Sequence, residues 1–284
     1  MIDLHTHSCY SDGTDTPAEL LKKAHQISLT GLALTDHDTV EGCIPFQKEA
    51  LNYPNILAIN GCEFTTDYAV NVEIIALNIK NLSPYIERQK ILKTYRKEVA
   101  IKRIEKLNNL GFKIELKDII FDEKGKERPL LGKPHIVNYL YNTNQISNKE
   151  IGYKQLLNKG CPAYEKQKSP TVAETIDFIR QTGAVSILAH PCLIGLKGQD
   201  FLNMLYEFKK LGLQGMEVQH SDMTIEDMAF YTQIADDLNL LKSGGSDYHG
   251  ENAHYGVHLG VGKGQIQLPH SYLEQILEAS NKSC

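Results

Sequence analysis

Short apolar runs alternate with helix-favouring segments at both ends of this chain, and that alternation limits its architecture more than any other feature. In the first third, residues 2–5 read as a strand, 17–28 as a helix, 31–35 as a strand, 40–51 as a helix and 56–59 as a strand. The last third repeats the rhythm with helix 171–181, strand 184–189, helix 201–211, strand 215–218, helix 224–238 and strand 240–243. Apolar strands separated by helices, with Gly or Pro at the junctions, imply a parallel sheet covered by helices. A length of 284 residues suits one α/β barrel, a class that often runs to roughly 250 residues.

Between about residues 80 and 165 the rhythm gives way to charged, helix-favouring sequence, exemplified by 90–110 with Ile91, Val99, Ile101, Ile104, Leu107 and Leu110 as its apolar members. The expected organisation is therefore a barrel from residues 1–80 and 166–284, with a helical insertion at 81–165. Lys93, Arg96, Lys97, Lys102, Arg103 and Lys106 of the insertion read as a solvated helix face, from which one or two could turn to a substrate phosphate. The chain shows no internal repeat and no low-complexity segment.

Charge and cysteine usage narrow the function classes. A formal charge of -5 argues against broad attraction to long duplex nucleic acid, which needs a clustered basic face, and leaves room for a small phosphorylated substrate. No run approaches the roughly 18 apolar residues that span a bilayer, so no membrane partner is expected. Ile2-Asp3-Leu4-His5 follows Met1 directly, so no signal peptide is expected. The expected location is cytoplasmic. There, Cys9, Cys43, Cys62, Cys161, Cys192 and Cys284, none in a C-x-x-C pair, are expected as free thiols without disulfide or zinc.

Acids and histidines fall at the strand ends: His5 and His7 after the first, Asp36-His37-Asp38 after the second, Glu63 after the third, then His190, then Asp247 and His249. In parallel α/β architectures those ends share one face, where loops build the active site. Residues i and i+2 of a strand point the same way, so His5 and His7 can share one cation. Imidazole and carboxylate donors without thiolates suit zinc, manganese or iron. Divalent ions are also needed to offset the repulsion of so many clustered carboxylates.

The motifs Asp3-Leu4-His5-Thr6-His7-Ser8, Ser11-Asp12-Gly13, Leu34-Thr35-Asp36-His37-Asp38-Thr39, Gly61-Cys62-Glu63, Lys133-Pro134-His135, His190-Pro191 and Gly245-Ser246-Asp247-Tyr248-His249 resemble, in order and across nearly the whole chain, the PHP (polymerase and histidinol phosphatase) superfamily. Thr35-Asp36-His37-Asp38-Thr39 with the helical insertion is most similar to its branch of nucleoside 3′,5′-bisphosphate phosphatases and 5′-3′ exoribonucleases. The resemblance implies a distorted (β/α)7 TIM-like barrel around a site for two to three divalent ions, with manganese favoured over iron or zinc. Carried over by position, His5, His7 and Asp247 would hold a first ion, bridged by Glu63 to a third; Asp12, His37 and His190 a second; His135 and His249 the third. Asp36 and Asp38 would orient His37 and its loop.

Three departures from the family pattern stand out. Where relatives carry a histidine after the third strand, this chain reads Val72-Glu73-Ile74-Ile75-Ala76, so Glu73 is expected as an oxygen ligand of the third ion. Lys133 replaces an arginine, exchanging a bidentate phosphate clamp for a point charge. An arginine expected after His190-Pro191 is absent from Cys192-Leu193-Ile194-Gly195-Leu196-Lys197. Lys133 and His220 are the candidates to bind the substrate phosphate, His220 also to protonate the leaving oxygen; His25, His254, His258 and His270 receive no role. The expected activity is hydrolysis of phosphate monoesters of small nucleotides, with exonucleolytic action on short RNA. The alternatives are a histidinol-phosphate phosphatase and a non-catalytic, metal-binding regulatory module.

Overall fold

A computed structural model describes residues 1–121, 125, 127, 128, 130–251, 253 and 256–282; His254 and Cys284 lie outside the described residues. The chain forms two compact units, one from Met1–Ile86 with Pro170–Cys284, the other from Glu87–Ser169. The first opens with β1 (Ile2–Asp3), α1 (Pro17–Gln26), β2 (Gly31–Leu34), α2 (Cys43–Ala50), β3 (Leu57–Thr65) and β4 (Glu73–Leu77). Helix α3 (Ser83–Asn109) runs into the second unit, which adds α4 (Lys117–Ile120), α5 (Lys133–Asn142), α6 (Lys149–Ile151) and a π-helical turn, Gly152–Leu157. The first unit resumes with α7 (Val172–Gln181), β5 (Val185–Leu188), a 3-10 turn at Pro191–Leu193, α8 (Gly198–Leu211), β6 (Gly215–His220), α9 (Ile225–Asp237), β7 (Leu241–Gly245) and α10 (His270–Lys282).

The helices begin where local chemistry starts them. Thr16, Thr171 and Thr224 are N-caps whose hydroxyls accept from the N–H of Glu19, Glu174 and Asp227, and those carboxylates accept in return from the cap N–H. Each such box satisfies backbone donors that a helix start leaves unpaired, and losing the cap costs about 1 kcal/mol. Leu20 and Leu21 of α1, with Ala24 one turn on, share a face and bury against Leu32, Leu34 and Phe46.

Seven strands form one sheet in sequence order. It curls into a nearly closed barrel, because the chain after β7 hydrogen-bonds to the chain after β1: Leu4 N donates to Gly244 O (3.2 Å), Asp247 N to His5 O (2.9 Å) and His7 N to Tyr248 O (2.9 Å). Gly245 permits this approach, since a Cβ there would meet His5 N at 2.4 Å and Asp3 Oδ1 at 2.7 Å.

One strand departs from the all-parallel expectation: β4 is antiparallel to both β3 and β5, while the other pairs are parallel. No helix separates β3 from β4, so the chain turns straight back. The start of β4 therefore lies at the same barrel face as the ends of β3 and the parallel strands.

The second unit has a core of its own, drawn from Ile104, Leu107, Ile119, Ile136, Leu140 and Leu157 among others. On α3 the buried members are Tyr85, Gln89, Leu92, Val99, Ala100, Arg103, Ile104 and Leu107, whereas Ile91, Ile101 and Leu110, read above as part of the apolar stripe, are exposed. Arg103 likewise leaves the solvated face assigned to it, giving an Nη2 donor to Glu165 O at 3.0 Å.

Candidate metal centre

Strand ends supply the site. His5 and His7 follow β1 on alternate residues, both fully buried, with ring centroids 5.1 Å apart. Glu63, near the end of β3, is the hub: its Oε2 lies 3.2 Å from His5 Nε2, 3.3 Å from His7 Nε2 and 3.1 Å from His37 Nδ1, and its Oε1 lies 2.8 Å from His190 Nε2. Asp247 Oδ1 stands 3.1 Å from His7 Nε2 and 3.4 Å from His5 Nε2. Asp12 Oδ1 stands 3.3 Å from His249 Nε2.

Glu73 reaches this cluster through sheet register. Thr65 pairs with Glu73 across the β3–β4 ladder, and Glu63, two residues before Thr65, shares its face. The two glutamates are thus diagonal neighbours. The Glu73 carboxylate accepts from Thr65 Oγ1 at 3.1 Å and lies 3.7 Å from His37 Nδ1 and 3.5 Å from His190 Nε2.

Three sets of side chains bring one donor atom each within 4.8 Å of one another: His5, His7 and Asp247; His7, Asp12, His37 and His249; and His37, Glu63 and Glu73. Imidazole nitrogens and carboxylate oxygens suit borderline and hard divalent ions. A second observation points to ions. His7 Nδ1, Asp12 Oδ1 and His37 Nδ1 are buried with no hydrogen-bond partner, although Asp12 Oδ1 lies 3.3 Å from His249 Nε2 and His37 Nδ1 lies 3.1 Å from Glu63 Oε2. Those contacts are close but misaligned, leaving lone pairs that protein donors do not use. The residues fit a metal centre.

Electrostatics say the same. Burial opposes the imidazolium of His5, but the Glu217, Glu63 and Asp247 carboxylates outweigh it and hold its pKa well above the usual value. Burial likewise opposes a charged His7 and His190, yet Asp247 and Glu63 push His7 up to about 10, and Glu63 chiefly pushes His190 up to about 9. Conversely, burial penalises the Glu63, Asp12 and Asp247 carboxylates, and the surrounding histidines still hold all three well below the usual carboxylate range. Without cations, protons on histidine must balance the acids. Burial pushes the Cys43 and Cys62 thiols up, so neither offers a thiolate.

A supporting layer was only partly foreseen. Asp36 does not orient His37; its carboxylate accepts from Ser8 N (2.8 Å), Ser8 Oγ (2.6 Å) and Ser11 Oγ (2.6 Å), fixing the loop that carries Asp12. Asp38 accepts from Thr65 N at 3.1 Å. Asp3 ties Ser246 N, Ser246 Oγ and Gly260 N to the barrel seam. Glu217 was missed altogether. Fully buried on β6, it contacts His5 Nδ1 at 2.9 Å and accepts from His190 N at 2.6 Å.

Asp38, His190 and Asp247 have φ of 50°, 27° and 53°. Such left-handed backbone costs a non-glycine residue about 1–2 kcal/mol, and here it recurs where ligand-bearing loops leave the strands.

His220 also belongs to this site. A register shift between Glu217 and Gln219 against β7 breaks the strict alternation of β6 and lets His220, rather than Gln219, face inward with Glu217. Its ring centroid is 5.5 Å from that of His190 and its Nε2 3.4 Å from Asp247 Oδ2. Asp222 N donates to His220 Nδ1 at 3.1 Å, so the neutral ring carries its proton on Nε2.

The grouping differs from the one the family resemblance implied. Asp12 and His37 join His249 and His7, whereas His190 sits against Glu63 and Glu73. Lys133 and His135 belong to the second unit, at the first turn of α5. There Lys133 Nζ donates to Asn158 Oδ1 at 3.0 Å, and His135 Nδ1 accepts from Gly132 N at 3.0 Å. All members of the three donor sets come from the first unit.

Comparison with known proteins agrees with this geometry. The model of the PHP domain family matches residues 3–159. The chain is 29% identical over 252 residues to a 5′-3′ exoribonuclease of Haemophilus influenzae, covering 87% of this chain and 89% of that one. It is 26% identical over 254 residues to a 3′,5′-nucleoside bisphosphate phosphatase of Chromobacterium violaceum, covering 87% of each. A crystal structure from Bifidobacterium adolescentis, assigned as a metal-dependent phosphoesterase, superposes with a TM-score of 0.85 at 25% identity, covering 98% of this chain and 96% of that one.

Proposed function

The chain belongs to the PHP domain family and is a hydrolase of phosphoric ester bonds, and we propose that it removes phosphate from small nucleotides of the nucleoside 3′,5′-bisphosphate type. Exonucleolytic action on short 5′-phosphorylated RNA would use the same centre. The observation that carries this reading is the convergence of His5, His7, Asp12, His37, Glu63, Glu73, His190, Asp247 and His249 on one barrel face, with buried donor atoms left unpaired. Relatives that act on nucleotides and RNA support the substrate class.

Divalent ions bound there supply Lewis acidity, which makes water acidic enough to attack phosphorus near neutral pH and offsets charge on the phosphoryl oxygens. His5, His7 and Asp247 would hold one ion; Asp12, His37 and His249 another; Glu63 and Glu73, with His190 beside them, a third. Glu73 adds an oxygen donor and a negative charge where the family resemblance leads one to expect histidine, which favours manganese over zinc.

His220 holds a proton on Nε2 beside Asp247; there it donates to a phosphate oxygen and hands that proton to the leaving oxygen. The proposed role of Lys133 is to bind a phosphate oxygen as a point charge, exchanging its bond to Asn158 for one to substrate. Among the described residues no helix is long and apolar enough to cross a membrane. The proposed setting is the cytoplasm.

The test is phosphate release from a panel with and without manganese: nucleoside 3′,5′-bisphosphates, mononucleotides, histidinol phosphate and short 5′-phosphorylated RNA. Manganese-dependent release from the bisphosphates, lost in His220→Ala without loss of bound metal, is expected. Preference for histidinol phosphate would overturn the substrate assignment, and no release from any ester would overturn the activity.

A further inference from the structure

We infer that Glu217 is a positioning residue that selects which nitrogen His5 offers to metal and at the same time holds the backbone of His190, so that one carboxylate prepares ligands from two strands. The inference deepens the metal-centre reading and rests on it.

The geometry is specific. Glu217 Oε1 lies 2.9 Å from His5 Nδ1, and Glu217 Oε2 accepts from His190 N at 2.6 Å. The opposite nitrogen of His5, Nε2, faces Glu63 Oε2 at 3.2 Å and Asp247 Oδ1 at 3.4 Å, where a shared ion would sit. An ionised carboxylate only accepts, so Nδ1 must carry the proton of a neutral His5, which leaves the Nε2 lone pair for the ion.

The second contact has a separate purpose. Of the left-handed residues Asp38, His190 and Asp247, Asp38 and Asp247 are tied by neighbouring backbone, their N–H groups donating to Glu63 O at 2.8 Å and His5 O at 2.9 Å. His190, with φ of 27°, has the Glu217 side chain as the acceptor of its N–H. Its ring is thereby aimed at Glu63 Oε1, 2.8 Å from His190 Nε2. Glu217 itself belongs to none of the three donor sets, and it is fully buried.

An amide cannot perform both tasks. The backbone N–H of His190 can only donate, so the side-chain amide of a Glu217→Gln variant must turn its carbonyl oxygen that way and present its NH2 group to His5 Nδ1. Two donors cannot face each other, so Nδ1 gives up its proton, Nε2 takes it, and the atom needed by the ion is blocked. The substitution keeps shape and volume; it removes only acceptor capacity.

The experiment uses full-length protein carrying 15N-labelled histidine and reconstituted with zinc alone, a diamagnetic probe. Long-range 15N–1H spectra of the wild type should show His5 protonated at Nδ1 and bare at Nε2. Titration of E217Q should show affinity for one ion reduced about ten- to a hundredfold, with circular dichroism and the remaining ions retained. Wild-type His5 with its proton on Nε2 overturns the inference, as does an E217Q that binds zinc with wild-type affinity. Should E217Q fail to fold, the wild-type spectrum decides alone. A wild type that binds no ion refutes the metal-centre reading instead, so the two failures are distinguishable.

Discussion

Lowering the pH by one unit should weaken binding of the ion held by His5, His7 and Asp247 about a hundredfold. In the metal-free protein carboxylates hold His5 well above its usual pKa and push His7 up to about 10, which favours a proton on each ring at pH 7. An ion taking both rings must expel two protons. Each displaced proton changes the binding constant tenfold per pH unit, about 1.4 kcal/mol, so the pair gives about 2.8 kcal/mol per unit. The slope should hold until pH approaches the raised value of His7, about 10.

The same shifts set the sign for the metal-free fold. A raised histidine pKa stabilises the fold below the ordinary value near 6.5, and that contribution is lost as pH rises through about 9 for His190 and about 10 for His7. The lowered pKa values of Glu63, Asp12 and Asp247 give stability present above the ordinary carboxylate range and lost as pH falls through the lowered values. Metal-free protein should therefore melt earlier at alkaline pH, with metal restoring the loss. The assay is chelator competition at several pH values, together with proton release on metal addition in weak buffer. A binding constant independent of pH, or addition without proton release, would refute the charge balance described above.

Three further outcomes are expected. Glu73→Ala should lose the ion proposed at Glu63 and Glu73 and lower turnover, while Glu73→His should keep activity and shift preference toward zinc; wild-type stoichiometry and turnover in the alanine variant would show that Glu73 is no ligand. Gly245→Ala should destabilise the protein by about 1–3 kcal/mol through overpacking, because its Cβ would fall 2.4 Å from His5 N; an unchanged urea midpoint would contradict the seam geometry. Thr224→Ala, which removes the N-cap of α9, should cost about 1 kcal/mol with metal content intact, and a loss of ions would show the site to be coupled to that helix.

Much of the donor cluster was legible because residues at the strand ends of a parallel barrel gather on one face, so His5, His7, His37, Glu63, His190 and Asp247 could be expected together from the sequence, and they do lie together. What escaped did so for physical reasons. The run 72–76 looks the same whether its strand is parallel or antiparallel; only the short link after Thr65, with no helix in it, signals that β4 turns back and carries Glu73 to the metal face. Glu217 carries no motif. Its signal is a lone acid among the apolar residues of β6, which should have raised the question of its buried partner. The bulge that turns His220 inward leaves no mark in residue type. On α3, periodicity gave the helix but placed Ile91, Ile101 and Leu110 on the wrong side, since a long helix chooses its buried face by what packs on it. The grouping of the donor side chains was likewise beyond pattern: His249 stands beside Asp12 because the loop after β7 folds over the loop after β1, where Thr14 N donates to His249 O at 2.8 Å.

The central claim is a polynuclear centre, and metal content tests it most directly. Protein stripped by chelator, reconstituted with manganese, desalted and analysed by inductively coupled plasma mass spectrometry should retain about two to three ions per chain, as three overlapping donor sets require. One ion, or none, would contradict the account.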